Sequence, residues 1–425
     1  MRILMLNNEF PPLGGGTGTV NRALLQRFAD VPDLTIDLVT SALGRQAETE
    51  QFSEHIRIVK VPVNNRNIHH SSNRELLTYA ARALPTALRL HRAHPYDCCF
   101  AFSAVPAGAV ALALRRLTGL RYLLRVCGPD IPGFEQRYGL LYPLLTPVIR
   151  HTWHTAETVV AKCRGEADMI QAVDRQVRHI ALIPNGVDLA AFQLGATIPD
   201  DGPLRLICVA RLIERKGQQH LIAAVKRLAD MGLEVQLELV GTGDAQAANE
   251  KQVHALGISD RVSFSGYVPR EEIATRYAAA HVFVLASFNE GMSVATLEAM
   301  AAGLPVVVTR TGGTDDLVEA DVNGLTFDWA DVDTLTAHLQ CLATDRDRVG
   351  RMGAASRERA MRFTWDAAAE QYLALFDQMP LHTTTHSAVS ANVSHRNMVE
   401  STNSEHSPSQ DDRDRRVALP GPDRQ

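Results

Sequence analysis

Two cations five residues apart, Arg211 and Lys216, follow the apolar run Leu204–Val209. Just past the C-terminal end of a parallel strand, such a pair can clamp a diphosphate and stabilise negative charge growing on it as it leaves. Taken alone, the pair reads better as the solvated surface of a helix start, because Arg and Lys are common there. A second segment, Asn289-Glu290-Gly291-Met292-Ser293-Val294-Ala295-Thr296-Leu297-Glu298, lies between the apolar run Val282–Leu285 and a helix that stops at Gly303. Glu290 falls in the loop, where Gly291 leaves backbone open to a ligand. Ser293 begins a helix whose free amides suit a phosphate, and Glu298 follows about one and a half turns in. A buried, unpaired Glu298 is costly, which disfavours a purely structural role. Carboxylates accept hydrogen bonds from vicinal hydroxyls, so the set suits a ligand with a central diphosphate and a sugar at either end. A third loop, Pro11-Pro12-Leu13-Gly14-Gly15-Gly16-Thr17-Gly18, follows the first apolar run. Its glycines let backbone amides approach a ligand, but it has neither dinucleotide nor P-loop spacing and also reads as a flexible turn.

These residues need elements to position them. Short apolar runs alternate with helical patterns: Ile3–Leu6, Leu34–Val39, Ile56–Val61, Asp97–Phe102, Tyr122–Val126, Thr158–Ala161 and Ile180–Ile183. A second series follows at Leu204–Val209, Val235–Val240, Val262–Phe264, Val282–Leu285 and Pro305–Thr309. Continuous apolar strands joined by helices imply parallel sheets covered on both faces. The expectation is an α/β chain of two Rossmann-like doubly wound domains, residues 1–190 and 191–363, joined by a Gly/Pro/Asp-containing stretch at 190–203. A last helix follows over 364–380, with Thr364 as N-cap and Trp365, Ala369, Tyr372 and Phe376 on one stripe. Residues 381–425 hold no aromatic residue and are rich in Ser, Thr, His, Asn and Arg. They are expected to form a disordered tail.

Composition narrows the function classes. The chain has 425 residues, 45% hydrophobic and 21% charged, with a net charge of −5. This is ordinary globular composition, and mild acidity disfavours a dedicated nucleic-acid binder. The average hides a split: residues 1–190 carry +5 and residues 191–380 carry −9. The six cysteines have no CxxC spacing, so reduced thiols in a cytosolic protein are expected. The longest uncharged stretch, Cys98 to Leu114, contains Pro106 and Gly108 and is too short to span a bilayer. The N-terminal apolar run is too short for a signal peptide.

In order along residues 1–380, the motifs resemble the retaining glycosyltransferases of family 4, whose two-domain architecture is the GT-B fold. The matching segments are Pro11-Pro12-Leu13-Gly14-Gly15, Ile183-Pro184-Asn185-Gly186-Val187-Asp188 and Arg211…Lys216-Gly217. They continue with Val240-Gly241-Thr242-Gly243, Phe264-Ser265-Gly266-Tyr267-Val268, the Glu290/Glu298 pair and Ala302-Gly303-Leu304-Pro305-Val306-Val307. The resemblance implies that Arg211 and Lys216 hold a donor diphosphate, and that Glu290 with the backbone of Gly291, Met292, Ser293 and Val294 holds the donor sugar. It implies further that Glu298 binds ribose hydroxyls, that backbone at Gly266, Tyr267 and Val268 contacts the base, and that Gly15 and Gly16 lie beside diphosphate and acceptor. The helix from Trp365 resembles the closing helix that crosses back onto the first domain. Metal-independent retaining chemistry is implied, the leaving phosphate assisting deprotonation of the acceptor, with no cofactor. Where such enzymes often have His-Gly-x-Asp, this chain has Cys127-Gly128-Pro129-Asp130. Cys127 therefore stands in place of a donor-sugar histidine, and Cys127 and Asp130 are candidates for sugar or acceptor contact. Asp316 stands where a glutamate is usual.

The expected function is transfer of a sugar from a UDP- or GDP-linked donor to a saccharide or lipid-linked acceptor, in polysaccharide, lipopolysaccharide or glycolipid synthesis. Cys127 motivates the rival of a catalytically silent nucleotide-sugar binder, and a similar double fold also serves sugar-nucleotide epimerases and phosphorylases. The apolar segment Tyr138–Ile149 reads first as core packing and otherwise as a lipid contact. Residues 75–95, with Arg82, Arg89 and Arg92, pattern as a basic amphipathic helix that either faces solvent or rests on an anionic membrane. The expected location is the cytoplasm, with peripheral contact at the inner membrane face.

Overall fold

A computed structural model describes residues 1–65, 67–68, 71–135, 138–193 and 202–379. The expected tail at 381–425 and much of the expected linker lie outside these residues. The first half runs β1 (Arg2–Leu6), α1 (Gly16–Phe28), β2 (Thr35–Ala42), β3 (Glu48–Ser53), β4 (Ile56–Pro62), α2 (Asn73–Ala93), β5 (Cys98–Phe102) and α3 (Ala109–Thr118). It continues with β6 (Tyr122–Arg125), α4 (Tyr142–Thr155), β7 (Thr158–Ala161), α5 (Arg164–Val173) and β8 (Ile180–Leu182). The second half runs β9 (Leu204–Val209), α6 (Gln218–Asp230), β10 (Val235–Val240), α7 (Gln246–Ala255), β11 (Val262–Gly266), α8 (Arg270–Ala279), β12 (Val282–Leu285) and α9 (Val294–Ala301). After β13 (Val306–Thr309), α10 (Thr314–Leu317) and β14 (Gly324–Phe327) come α11 (Val332–Thr344), α12 (Arg346–Ala360) and α13 (Trp365–Asp377).

The strands form two sheets, ordered β3-β4-β2-β1-β5-β6-β7-β8 and β11-β10-β9-β12-β13-β14. Every pairing is parallel except β3 on β4. That antiparallel edge is one departure from the expected all-parallel design, and β14 is an edge strand the apolar runs did not reveal. In each sheet the chain winds outward from the middle in both directions. The reversals lie between β1 and β5 and between β9 and β12, and strand ends diverge there to leave a crevice.

Alternation along the strands puts residues on opposite faces. Leu4 and Leu6 pack with Tyr79 of α2, Val110 of α3, Trp153 of α4 and Ile170 of α5. Ile3 and Met5 face the other way, onto Leu24 and Phe28 of α1 and Trp365, Tyr372 and Phe376 of α13. The last helix thus returns from the second half to complete the core of the first. Thr364 caps it, its side chain accepting from Ala367 N at 3.1 Å, and Phe376 packs against Phe28 and Phe100. The second sheet has its own core, from Leu204 through Val349 and Met352. The segment expected as core packing divides instead: Tyr142 and Ile149 point inward, whereas Leu140 is 97% exposed and Leu144 75%.

At the start of β12, His281 is buried and accepts from Arg205 N at 3.2 Å through Nδ1. Burial, aided by Arg205 and Arg346, lowers its pKa to about 4. Between about 6.5 and 4 the unfolded chain therefore binds a proton that the folded chain refuses, so stability falls as pH drops through that window. Urea titrations across it should show His281→Phe flattening the dependence by up to about 1.4 kcal/mol per pH unit.

Candidate functional site

Both strand reversals open onto one cavity of about 410 Å³. From the second half, the loop after β9 brings Arg211, Arg215 and Lys216, and the loop after β12 brings Glu290 through Val294. From the first half, the loop after β1 brings Asn7, Asn8, Glu9, Gly15 and Gly16, and the ends of β5, β6 and β7 bring Ser103, Arg125, Cys127, Asp130 and Lys162.

Close backbone approach fixes the second-half wall. Gly217 has φ +69°, and a Cβ there would fall 2.0 Å from Ala286 O, so only glycine lets the β9 loop rest against the end of β12. This brings the Lys216 ammonium onto Glu290 Oε1, which also accepts from Ser287 Oγ at 2.9 Å. Burial lowers the Lys216 pKa even though Glu290 opposes it. Burial pushes the Glu290 carboxyl up, but Lys216 and Arg215 outweigh it, and the net shift is downward. Arg215 reaches across the cleft to Glu135 at 3.3 Å and donates to Asn289 O at 3.2 Å, while Asn289 Nδ2 donates to Phe134 O at 3.1 Å. Ser293 caps α9 by accepting from Thr296 N at 3.2 Å, leaving the helix start at the cavity wall.

The floor is built from charges the sequence patterns did not single out. Arg125, only 2% exposed, donates from Nε to Tyr372 OH at 3.0 Å and from Nη2 to Asn185 Oδ1. Its guanidinium lies 5.7 Å from the centre of the Phe102 ring. Asn185 in turn donates from Nδ2 to Met292 O at 2.8 Å, and its backbone N–H to Met292 Sδ at 3.2 Å. Lys162 pairs with Glu166 and donates to Val126 O at 3.4 Å. Gly291 sits against this pair, since a Cβ there would lie 2.2 Å from Glu166 Oε1. The available signal was a charged residue at the end of an apolar run, Arg125 after Leu124 and Lys162 after Ala161.

Cys127 and Asp130 are side by side. Asp130 accepts from Cys127 N and from Ala104 N, both at 2.7 Å, so its two oxygens organise the loop. Burial raises the Asp130 pKa and pushes the Cys127 thiol up to about 12. A thiol so protonated is not an activated nucleophile.

Of the expected site residues, Gly15, Gly16, Cys127, Asp130, Arg211, Lys216 and Glu290 through Val294 meet at this cavity. Glu298, Gly266, Tyr267 and Val268 stand outside its lining. Glu298 is 8% exposed, accepts from Tyr277 OH at 3.2 Å and lies 4.0 Å from Arg270. Gly266 accepts through its carbonyl from Gly241 N at 2.8 Å, and Tyr267 is exposed. Asp316 accepts from Arg164 N at 3.0 Å and so bridges the halves.

Two doubly wound parallel sheets facing across a cleft that carries cations, carboxylates and a helix start define a two-domain α/β enzyme of the GT-B type. Residues 195–359 match the glycosyl transferases group 1, and residues 15–186 match the glycosyl transferase 4-like domain. The chain belongs to the family 4, group 1 glycosyltransferases. It is 25% identical to the GDP-mannose-dependent alpha-(1-6)-phosphatidylinositol monomannoside mannosyltransferase of Mycolicibacterium smegmatis, over 84% of this chain and 94% of that one. It is 27% identical to the mannosylfructose-phosphate synthase of Agrobacterium fabrum, over 86% and 88%. Its fold is similar to that of the sucrose-phosphate synthase of Thermosynechococcus elongatus, with TM-score 0.78 and 24% identity over 89% and 98%.

Glu290 is held below the ordinary carboxylate range mainly by Lys216, so its contribution to stability is lost as pH falls through that depressed value. In Lys216→Met burial acts with less opposition. Carbon-13 titration should show the Glu290 carboxyl moving upward, and the acid-dependent loss of stability should shrink.

Proposed function

We propose that the protein transfers a hexosyl group from a UDP- or GDP-linked sugar to an acceptor hydroxyl, with retention at the anomeric carbon and without a metal ion. The observation that carries the reading is the convergence of Arg211, Lys216, Glu290 and the start of α9 on one wall of the interdomain cavity. Two cations and free helix amides supply the positive potential that a diphosphate leaving group needs. Glu290 and the backbone of Gly291, Met292, Ser293 and Val294 take the donor hexose. Glu298 takes the ribose hydroxyls, and Gly266, Tyr267 and Val268 take the base. Gly15 and Gly16, with no neighbour within 4 Å of a Cβ position, give diphosphate and acceptor room to meet. The phosphate oxygen released from the sugar assists deprotonation of the incoming hydroxyl. The relatives' GDP-mannose and mannosylfructose-phosphate chemistries make mannose the first donor sugar to test.

The acceptor is a lipid-linked saccharide of cell-surface polysaccharide, lipopolysaccharide or glycolipid synthesis. In support, Leu76, Leu141, Leu145 and Ile149 line the cavity. Leu77, Leu140 and Leu144 continue that apolar path outward at 71%, 97% and 75% exposure. Arg74, Arg82, Arg89 and Arg92 are exposed on α2, which suits an anionic bilayer surface. Among the described residues no helix is long and apolar enough to cross a membrane.

Incubation with UDP- and GDP-hexoses, following released nucleotide and the product anomer by NMR, tests the reaction. One donor should turn over with retention and undiminished in EDTA. Lys216→Ala should lower kcat/KM by roughly 10²-fold or more, and wild-type rates in that variant would refute the donor assignment. The rival reading, binding without turnover, rests on Cys127. It wins if donors bind, nothing turns over, and Cys127→His restores transfer. Flotation with anionic vesicles at low salt should recover the wild type, and Leu77→Ser/Leu140→Ser/Leu144→Ser should stay at the bottom of the gradient.

A further inference from the structure

The segment joining the halves reaches the cavity at Asn185, a side chain that touches both halves at once. It is 3% exposed. Its Oδ1 accepts from Arg125 Nη2, and its Nδ2 donates to Met292 O at 2.8 Å. Its backbone N–H donates to Met292 Sδ at 3.2 Å, so the Glu290 loop is seated on this residue twice. A side-chain amide has an acceptor at one end and a donor at the other, whereas arginine has donors alone. Burial works against the Arg125 charge, but Tyr372, Cys127 and Glu166 outweigh it and the cation is kept. The guanidinium therefore takes the oxygen end of Asn185 and turns the nitrogen end onto Met292.

Met292 O belongs to the same peptide as the Ser293 N–H. That peptide is trans, so its carbonyl and its N–H point in opposite directions. With the carbonyl drawn to Asn185, the Ser293 N–H is turned away from Asn185. Among the described residues this N–H has no protein acceptor, and Ser293 lines the cavity. The Ser293 hydroxyl oxygen is already used by Thr296 N. Two jobs separate here. Tyr372 satisfies Arg125 Nε and ties it to the returning helix. Arg125 Nη2 sets the direction of one amide, and that amide sets the direction of one peptide in the Glu290 loop.

We propose that Asn185, oriented by Arg125, is a positioning residue that holds the 292–293 peptide with the Ser293 N–H presented to a hydroxyl oxygen of the donor hexose. The proposal rests on the glycosyl-transfer reading and deepens it by naming what gives the sugar-binding backbone its polarity.

The test compares wild type with Asn185→Asp and Tyr372→Phe, at a temperature where circular dichroism shows each fully folded. Asn185→Asp gives Arg125 a carboxylate and keeps the backbone contact to Met292 Sδ, but offers Met292 O no side-chain donor. Tyr372→Phe keeps the amide and the peptide and takes a hydroxyl from Arg125. Calorimetric titrations give the Kd of the UDP- or GDP-hexose that wild type binds best, and the Kd of its bare nucleotide. Asn185→Asp should raise the ratio of the first to the second roughly tenfold or more, leaving the bare nucleotide within about threefold. Where that donor turns over, its kcat/KM should fall by a similar factor. Tyr372→Phe should lower the thermal midpoint and leave the ratio within about twofold. An unchanged ratio in Asn185→Asp, or an equal rise in both Kd values, overturns the proposal. So does an equal rise of the ratio in Tyr372→Phe, because the effect then follows stability and not peptide direction. If Asn185→Asp does not fold, Arg125→Gln, which can meet either end of the amide, takes its place. Its ratio should rise about threefold or more, and an unchanged ratio overturns the proposal. A wild type that binds nucleotide sugars without transferring any refutes the transfer reading, and the ratio still decides the positioning role. A wild type that binds no UDP- or GDP-hexose overturns both.

Discussion

A guanidinium without a carboxylate sets the terms on which the two halves meet. Among the described residues no ion pair is available to Arg125, yet it is almost wholly buried. Removing such a charge from water is unfavourable unless its hydrogen bonds are replaced. The replacements come from Tyr372 on α13, Asn185 between the halves and the face of Phe102 on β5. No one of these elements satisfies the cation alone, so β6, the connecting segment and the returning helix must assemble together. Asn185 uses the rest of its amide on Met292 O, inside the loop that carries Glu290. Docking of the last helix and the shape of the Glu290 loop are thereby linked through one buried side chain, although that helix is far from the loop in sequence.

The same economy of position explains why a chain of opposite-signed halves builds a cleft with little resemblance to either average. The second half is acidic overall, but its crevice end carries Arg211, Arg215 and Lys216. The first half is basic overall, yet its crevice end mixes Glu9 and Asp130 with Arg125 and Lys162, both of which are engaged by protein partners. The strand reversals account for this, because loops at the reversal diverge and present a few side chains to the cavity, while the remaining charge faces solvent on helices. Net charge of a half then bears on long-range attraction to a surface, and the loop residues bear on recognition.

Much of this was legible in the residues because central parallel strands are apolar on both faces and so appear as unbroken runs. β1, β5, β9 and β12 were all visible in that way, and with them the loops that hold the glycine segment, the cation pair and Glu290. The two missed strands are both edges. β3, Glu48–Ser53, is polar along its exposed side and pairs only with β4, where Glu50 meets Lys60 at 2.8 Å; β14 is a four-residue strand beginning at Gly324. β3 lacks the covered faces that make an apolar run, whereas β14 is buried at Gly324, Leu325 and Phe327 but is too short and carries too few apolar side chains to show one. Arg125 and Lys162 escaped for a related reason. A charge closing an apolar run resembles the solvent end of a strand, and its burial depends on elements far along the chain that cover that end. The segment 138–149 misled in the opposite sense, since its leucines fit a core pattern while two of them face out.

Cys127 is the point at which resemblance and geometry must be weighed. If the loop around it were collapsed, a site that only binds would be the natural reading. Instead the main chain is held by Asp130, which takes the backbone N–H of Cys127 on one oxygen and that of Ala104 on the other. The substitution therefore changes a side chain on an organised loop and leaves its path defined. A thiol of high pKa is a weak donor and a small one, so what the position lacks is an imidazole contact and the volume that goes with it. The groups proposed to stabilise a departing diphosphate all lie on the opposite wall, on separate loops fixed by Gly217 and Ser293. Leaving-group stabilisation is often the largest single contribution to such a reaction, and it is independent of position 127. The geometry thus favours an altered sugar contact within a competent site over a silent one.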